Sequence, residues 1–248
     1  MNQTIIIQNG LPVNPKSEIR NPQLADFSRY DQKLELILRT AARIFAEKSY
    51  HSTSMREISR ATGVSLSGLY HYCRSKEELL FLIQDNCFGR VLERLEQRLA
   101  EEKDPLQKLR IFIDNHLAFF AANMAEMKVL SHEADSLGGD LHARVSGKKK
   151  KYTKLARNIL AELQEEQAQE RRVDLTVATY ALFGMMNWIY NWYDPGGKLR
   201  IAGLVANVTR LFLHGFVDGL AAEEPGFTSG AIAGSLSVWR APYFADDL

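Results

Sequence analysis

Hydrophobic residues recur at helical spacing along most of the chain, and no segment convincingly predicts a strand. Ile37, Ala41, Ile44 and Phe45 lie at positions i, i+4, i+7 and i+8. This apolar stripe predicts a helix at about 32–48. The rest of the chain predicts further helices, and the fold class is therefore all-α. Those helices are expected at about 76–99, from 105 onward, and at about 125–136, 141–169 and 175–193, with a last one that ends near 219.

Two short helices joined by a tight turn are predicted shortly after the first helix. Ser54 and Glu57 form a Ser-x-x-Glu capping box that begins the first of them. Gly63 supplies the left-handed conformation that ends this helix and turns the chain. Ser65 is then placed to cap the second helix.

The second short helix is a candidate for reading DNA. Its exposed side chains, over about 65–72, are mostly short and polar, and only Leu69 is clearly placed to face inward. A small exposed helix of this kind fits the major groove, where such groups reach base edges and phosphates. Ser75 and Glu78 form another capping box directly after it. The stretch is therefore interpreted as a helix-turn-helix.

Composition indicates a globular protein without strong overall charge. The chain has 248 residues, of which 46% are hydrophobic and 25% charged, with a net charge of +1. DNA binding would therefore depend on a few positioned contacts. The predicted organisation is a flexible arm at 1–30, a helix-turn-helix domain at 31–78, a second helical domain at 79–220 and a tail at 221–248.

A cytoplasmic location is expected. Cys73 and Cys87 are the two cysteines, and such sparse usage without metal-type spacing fits a reducing compartment. The N-terminal residues have neither a basic region nor a long apolar core, so no signal peptide is predicted. The uncharged stretch at 175–193 approaches the length of a membrane span. Its Thr, Gly and Asn residues, and the lack of a basic anchor, favour a buried helix at a subunit interface instead.

The stretch from Ile37 to Leu80 resembles the TetR family of bacterial transcriptional regulators. The matching positions are Ile37, Leu38, Ala41, Ala42, Ile44 to Glu47, Tyr50, Thr53, Ser54, Arg56 to Ile58, Gly63 to Ser65, Gly68, Tyr70 and Ser75 to Leu79. The resemblance implies an N-terminal three-helix helix-turn-helix head and a C-terminal helical ligand-binding and dimerisation domain. It also implies a homodimer, built on the last two long helices of each subunit, whose two heads read a palindromic double-stranded DNA operator.

The resemblance, together with the predicted outward face of the second helix, gives a set of candidate DNA contacts. They are Thr53, Ser54, Ser65, Leu66, Ser67, Tyr70, His71 and Lys76. Thr53 or Ser54, Tyr70 and Lys76 match phosphate-contacting positions, and a lysine or a tyrosine hydroxyl can donate to phosphate. Leu66 departs from the family, which usually has a polar residue or glycine there, and we expect it to contact a thymine methyl group. Cys73 also departs, since Phe is usual at that position.

The C-terminal part resembles the branch of the family that controls fatty-acid, aromatic-acid or steroid catabolism. The similarity lies in the turn from Trp192 to Gly197 and in the Glu133-Ala134 segment followed by a basic helix. It implies a small hydrophobic effector, of which an acyl-CoA is one example. The candidate ligand residues are Phe112, His116, Phe120, Met124, Glu133, Arg144, Lys148, Lys151, Phe183, Met186, Trp188 and Tyr190. The competing interpretations are an ordinary aromatic core and a solvated lysine face.

An enzyme is not expected. The sequence has no HExxH or CxxC motif, and His116, His132 and His142 do not share the spacing of a helical metal site. We therefore expect neither a cofactor nor a metal. The expected function is that of a repressor released by its effector. An activator, a ligand-independent regulator, and a small-molecule-binding or scaffold protein without operator function stay open as alternatives.

Overall fold

The all-α prediction is confirmed by the computed structural model, which describes residues 22–166 and 173–214. These residues form nine α-helices and two short 3-10 turns, and no strand occurs among them. The helices are α1 (Pro22–Lys48), α2 (Met55–Thr62), α3 (Leu66–Tyr70), α4 (Lys76–Leu99), α5 (Pro105–Ala121), α6 (Met124–His132), α7 (Gly139–Glu166), α8 (Leu175–Asn187) and α9 (Ile201–His214). The turns are Ala134–Ser136 and Trp188–Asn191.

Helix α1 begins at Pro22, well before the predicted start near residue 32. A proline is compatible with the first helical position because the N–H group that it lacks would have no partner there. Tyr30 lies within this earlier part and stacks on Tyr72 of the head, with 4.7 Å between ring centroids. Residues 22–30 of the predicted arm are thus helical, and the rest of the arm lies outside the described residues. So do the predicted tail, the end of the last helix and residues 167–172.

The predicted helix at 175–193, in contrast, is shorter than expected. Helix α8 ends at Asn187, and the chain tightens into a 3-10 turn that buries Ile189 and, just beyond it, Tyr193. Trp188 and Trp192 stay more than half exposed. Within the described ranges, no helix is long and apolar enough to cross a membrane.

A first hydrophobic core, here called the head core, lies beneath the helix-turn-helix. Ile37, Ala41 and Phe45 of α1 pack there with Ile58 and Leu69. Val129, Leu137 and Val145, which lie from α6 to α7, complete the same core. The head is therefore packed directly against the α6–α7 region.

A second core, the distal core, is formed by α4 to α9. Its buried members include Val91, Leu109, Phe112, Tyr152 and Leu182. Helix α4 contributes buried residues to both cores. It is thus a continuous element that connects the head with the larger helical part, and α6 and α7 also contribute buried residues to both cores.

Candidate DNA-reading head and ligand cavity

The turn between α2 and α3 has the local geometry that the sequence predicts. Ser54 caps α2, its Oγ accepting a hydrogen bond of 3.2 Å from the Glu57 N–H group. Gly63 ends the helix in the left-handed conformation, with φ of 66°. Ser65 caps α3 by accepting from the Gly68 N–H group at 3.1 Å. Each of these contacts satisfies a backbone group at a helix end.

Helix α3 presents the short polar surface that was expected of a recognition helix. Ser65, Ser67, Tyr70 and His71 are exposed, and Leu66 is half-buried. Leu69, on the opposite side, is fully buried in the head core. Ser54 is exposed at the start of α2, where a phosphate could also be reached.

Thr53 and Lys76 have structural roles that do not support the predicted phosphate contacts. Thr53 is 3% exposed, and its hydroxyl donates to the Ser49 carbonyl at 2.9 Å. The Lys76 ammonium lies 2.9 Å from the carbonyls of Tyr50 and Thr53 and 3.4 Å from that of His51. Three carbonyls occupy its three donors, and it also lies 4.4 Å from the centre of the Tyr50 ring. Lys76 thus holds the α1–α2 loop in place through its contacts with these carbonyls.

The basic groups on the surface of the head were missed in the candidate set. Arg56 and Arg60 on α2 and Arg74 after α3 are all exposed. Exposed arginines around a recognition helix provide the positive charge that phosphate binding requires. Their position inside the helix-turn-helix could have suggested that these arginines bind DNA, but the sequence does not specify which of them face it.

A Gly68→Ala substitution should destabilise the head by about 1 kcal/mol, the typical contribution of an N-cap. A Cβ at Gly68 would lie 3.0 Å from the Ser65 Oγ and 3.1 Å from a Val64 methyl group. Neither neighbour is free to move, because Ser65 caps α3 and Val64 is buried. Chemical denaturation and operator binding measure the effect. Gly147→Ala is the matched control, since open space surrounds that helical glycine; an equal response of both variants would contradict the prediction.

A partly enclosed cavity of about 450 Å³ lies among α4 to α8 and the turn after α8. It is mainly apolar and aromatic, as expected of a site for a small hydrophobic molecule. Five of the predicted ligand residues line it, namely His116, Phe120, Phe183, Trp188 and Tyr190. Lining residues that the candidate set missed include Phe88, Met127, Lys149, Tyr152, Tyr180 and Asn187.

The other predicted aromatic and methionine residues lie behind this wall. Phe112 and Met186 are fully buried in the distal core, and Met124 packs against that core from outside. The Phe112 ring centre lies 5.0 Å from that of Tyr152 and 5.9 Å from that of Phe183. Phe112, Met124 and Met186 are thus not part of the cavity wall. Helical periodicity could not show this, because it does not distinguish a cavity wall from the layer behind it.

Glu133 was predicted to bind ligand, but it connects the two parts of the protein instead. Its carboxylate accepts hydrogen bonds from the Tyr50 N–H group at 3.0 Å and from the Ser136 hydroxyl at 2.8 Å. Its backbone carbonyl accepts a third, also of 3.0 Å, from the Gln84 amide of α4. Glu133 is buried, and none of these contacts faces the cavity.

The predicted basic ligand residues on α7 are directed at α4. Lys148 forms an ion pair of 2.6 Å with Asp85, and Lys151 forms one of 2.5 Å with Glu96. The Arg144 guanidinium lies 4.5 Å from the centre of the Phe81 ring. Lys149, between these positions in sequence, lines the cavity instead, because one residue of an α-helix turns the side chain by roughly 100°. The predicted positive charge is therefore present, but on a different lysine.

His116 is the most buried polar residue of the cavity wall. Its Nδ1 lies 3.2 Å from the Tyr152 hydroxyl, while its Nε2 has no hydrogen-bond partner among the described residues. Burial lowers the pKa of His116 to about 3, an effect that the nearby Asn187 side chain partly offsets. The imidazole is therefore neutral near pH 7. Burial also raises the pKa of the Tyr152 hydroxyl, so this pair carries no charge.

A second, smaller cavity of about 230 Å³ adjoins the first. The two share Phe88, Leu130 and Lys149 in their walls. The smaller cavity is more polar and extends toward Gln84 and His142. The smaller cavity also has Val145 in its wall, a residue of the head core, so it lies next to the α6–α7 region that contacts the head.

The fold and these sites define a helix-turn-helix regulator with a small-molecule cavity. A family model described as bacterial regulatory proteins of the tetR family matches residues 37–83, and one described as the tetracyclin repressor-like C-terminal domain matches residues 102–216. A TetR-family transcriptional regulator from Bordetella parapertussis 12822 is 30% identical in sequence, with a TM-score of 0.69 and coverage of 74% of this chain and 95% of that one. The chain belongs to the TetR family of bacterial transcriptional regulators.

Two further relatives are informative about function. The HTH-type transcriptional repressor KstR2 of Mycolicibacterium smegmatis is 27% identical over 175 residues, which cover 69% of this chain and 82% of that protein. The crystal structure of AibR in complex with isovaleryl coenzyme A and operator DNA has 29% identity and a TM-score of 0.65, and covers 72% of this chain and 97% of that one. The first of these relatives is a transcriptional repressor, and the second was crystallised on its operator DNA.

Proposed function

We propose that the protein is a homodimeric repressor that leaves a palindromic operator when a small hydrophobic effector, of the acyl-CoA type, enters the aromatic cavity. The observation that carries this proposal is the combination of a DNA-reading head and a lined cavity connected by α4. The neighbour that binds isovaleryl coenzyme A together with operator DNA supports the effector class, and the relative named as a repressor supports the direction of control.

Dimerisation through α8 and α9 is supported by exposed apolar side chains. Val177 and Tyr180 of α8, Trp188 and Trp192 around the following turn, and Leu211 of α9 are all between 42% and 64% exposed. A surface with so many large apolar side chains commonly marks a protein–protein interface. A two-fold dimer would present two α3 helices to successive turns of a palindromic duplex. The domains would then be the DNA-binding unit at 31–78 and the ligand-binding and dimerisation unit at 79–220.

The effector would be oriented by its polar end. Lys149 lies at the boundary of the two cavities, where it can attract an anionic group such as a CoA phosphate. The apolar part of the effector would then occupy the aromatic cavity, which Phe120 and Phe183 help to line. Binding must favour the DNA-incompetent conformation to release the operator, since equal affinity for both conformations would shift nothing.

Operator binding and release provide the direct test. The full-length protein is titrated against a labelled palindromic fragment from its own upstream region, at several salt concentrations and with excess competitor DNA. We expect specific binding with a steep salt dependence, and dissociation on addition of isovaleryl-CoA or octanoyl-CoA but not of free CoA.

Each alternative predicts a different result in the same assay. A scaffold without operator function would show no binding that survives competitor DNA. A ligand-independent regulator would bind specifically but ignore all acyl-CoAs. An activator would retain the DNA in the presence of acyl-CoA and increase transcription in vitro.

Replacing Lys149 with Met should weaken the acyl-CoA response, whereas Lys154→Met, a change at an exposed lysine of the same helix, should leave it intact.

A further inference from the structure

The apolar cavity contains one polar atom that its surroundings do not satisfy. His116 is 2% exposed and lines the cavity, as does the Asn187 side chain, which interacts with the imidazole and raises its pKa. The Asn187 amide does not reach Nε2 with the geometry of a hydrogen bond, and Nε2 has no other partner within the described part of the chain. A buried polar atom without a partner is costly, and most such atoms in folded proteins are paired with protein or with water. An unpaired atom on a cavity wall therefore indicates a group that binds there.

The other side of the imidazole is held in place. Nδ1 interacts with the Tyr152 hydroxyl, and the ring centre lies 4.6 Å from that of Phe120 and 5.9 Å from that of Phe183. These contacts orient Nε2 and reduce the entropy lost when it binds a partner. The tautomer decides whether Nε2 donates or accepts. In both cases a neutral partner is suitable, because the imidazole carries no charge near pH 7.

We infer that the effector carries a neutral hydrogen-bonding group, a hydroxyl or a carbonyl, within the part that enters the apolar cavity, and that His116 Nε2 binds this group. The inference rests on the proposed function, in which an acyl thioester is the effector. The group meant is one in the acyl chain, in addition to the thioester carbonyl that every member of the class carries, so the class narrows to oxygenated acyl chains. The hydrocarbon portion packs against aromatic residues such as Phe120 and Phe183. The anionic end stays near Lys149, because the uncharged imidazole does not attract an anion.

The polar group and the apolar wall have separate effects on specificity. A site built to hydrogen-bond a substrate group disfavours the analogue that lacks it, because the polar atom of the protein is then left unpaired. The apolar wall, in contrast, should bind saturated and oxygenated chains with similar strength. Selectivity between the two kinds of chain should therefore depend on His116, and total affinity should depend mainly on the aromatic residues.

Binding of short thioesters to the full-length protein tests the inference. The probes are the N-acetylcysteamine thioesters of octanoate and of its 3-hydroxy, 3-oxo and 8-hydroxy derivatives, which lack the CoA nucleotide, and the measurement is isothermal titration calorimetry. At least one oxygenated probe should bind about tenfold more tightly than the octanoyl thioester, as expected for a single hydrogen bond to an otherwise unpaired group.

Variants assign the preference to one residue. His116→Phe should reduce the preference to about one, while His116→Gln, which retains an amide near the position of Nε2, should preserve part of it. Phe88→Leu is the control, because Phe88 lines the cavity but is not one of the rings packed on His116, and its replacement should weaken all probes alike. Equal affinity of the wild-type protein for all four probes, or a preference that persists in His116→Phe, overturns the inference.

The operator assay and this binding experiment test different claims, so either proposal can fail while the other stands. If the oxygenated probes bind selectively through His116 but neither saturated nor oxygenated acyl-CoAs release DNA, the proposed mode of regulation is wrong and the specificity of the cavity stands. If acyl-CoAs release DNA regardless of chain oxygenation, the proposed function stands and the inference about His116 falls.

Discussion

Replacing Lys76 with methionine should lower the free energy of unfolding by about 2 kcal/mol, a typical value for hydrogen bonds from a charged group, and reduce operator affinity at least about tenfold. The Lys76 ammonium holds three carbonyls of the α1–α2 loop and lies over the Tyr50 ring. Without it, this loop loses its inner support. Ser54, which begins α2 directly after the loop, would then no longer be held in position for DNA.

Salt dependence distinguishes this structural role from a phosphate contact. If Lys76 contacts phosphate, its removal should reduce the slope of log affinity against log salt by about one and leave stability unchanged. If it clamps the loop, stability should fall and the slope should stay nearly the same. Denaturant unfolding and fluorescence anisotropy measure the two quantities. Lys154→Met, at an exposed position on α7, should change neither.

Replacing Glu133 with alanine should destabilise the protein by about 2 kcal/mol, within the range for a buried polar group left unpaired, and uncouple the cavity from the head. The substitution removes the acceptor for the Tyr50 N–H group and for the Ser136 hydroxyl. Glu133 also receives the Gln84 amide of α4 on its backbone, and Gln84 lines the smaller cavity. Gln84 and Glu133 thus connect the cavity wall to the α1–α2 loop.

The effector response is the decisive measurement for this variant. In Glu133→Ala, acyl-CoA should still bind, but the difference in operator affinity with and without it should shrink, since coupling between sites typically amounts to about 1–3 kcal/mol. Glu133→Gln retains an acceptor oxygen for Tyr50 and should keep more of the response. Glu101→Ala, at an exposed acidic residue after α4, is the control. An undiminished response in Glu133→Ala would show that coupling takes another route.

The local structure of the head could be predicted from sequence because its signals are local. Ser54, Ser65 and Ser75 all cap helices through the bonds that capping boxes and N-caps imply. Gly63 has the left-handed backbone that ends α2. In each case the residue and the backbone group it satisfies are two or three residues apart, so a short sequence pattern contains both partners.

The roles of Lys76 and Glu133 could not be predicted because their partners are distant in sequence. The Lys76 ammonium contacts carbonyls more than twenty residues earlier, and the Glu133 carboxylate binds a backbone group 83 residues away. The family resemblance suggested a phosphate contact for the lysine and a ligand contact for the carboxylate. Tertiary packing instead gives both side chains partners within the protein, and only the fold brings these partners together.

The cavity was predictable in character but not in detail. Its aromatic and apolar nature follows from the composition of α5 and α8, yet the wall also includes Phe88 of α4 and Tyr152 of α7. The run of lysines on α7 indicated positive charge. Which lysine faces the cavity depends on the rotation of α7 against α4, and the ion pairs of Lys148 and Lys151 fix that rotation.

The loop between α6 and α7 is fastened to the head at two separate points. Besides the bond from Tyr50 to Glu133, the Gly138 N–H group donates to the Glu77 carboxylate of α4 at 2.9 Å. Two attachments restrict rotation of the loop against the head far better than one, so we expect the head and this loop to move together as one rigid unit. The hinge would then lie farther along α4, and a small displacement at the cavity would produce a larger change in the distance between the two α3 helices of the proposed dimer.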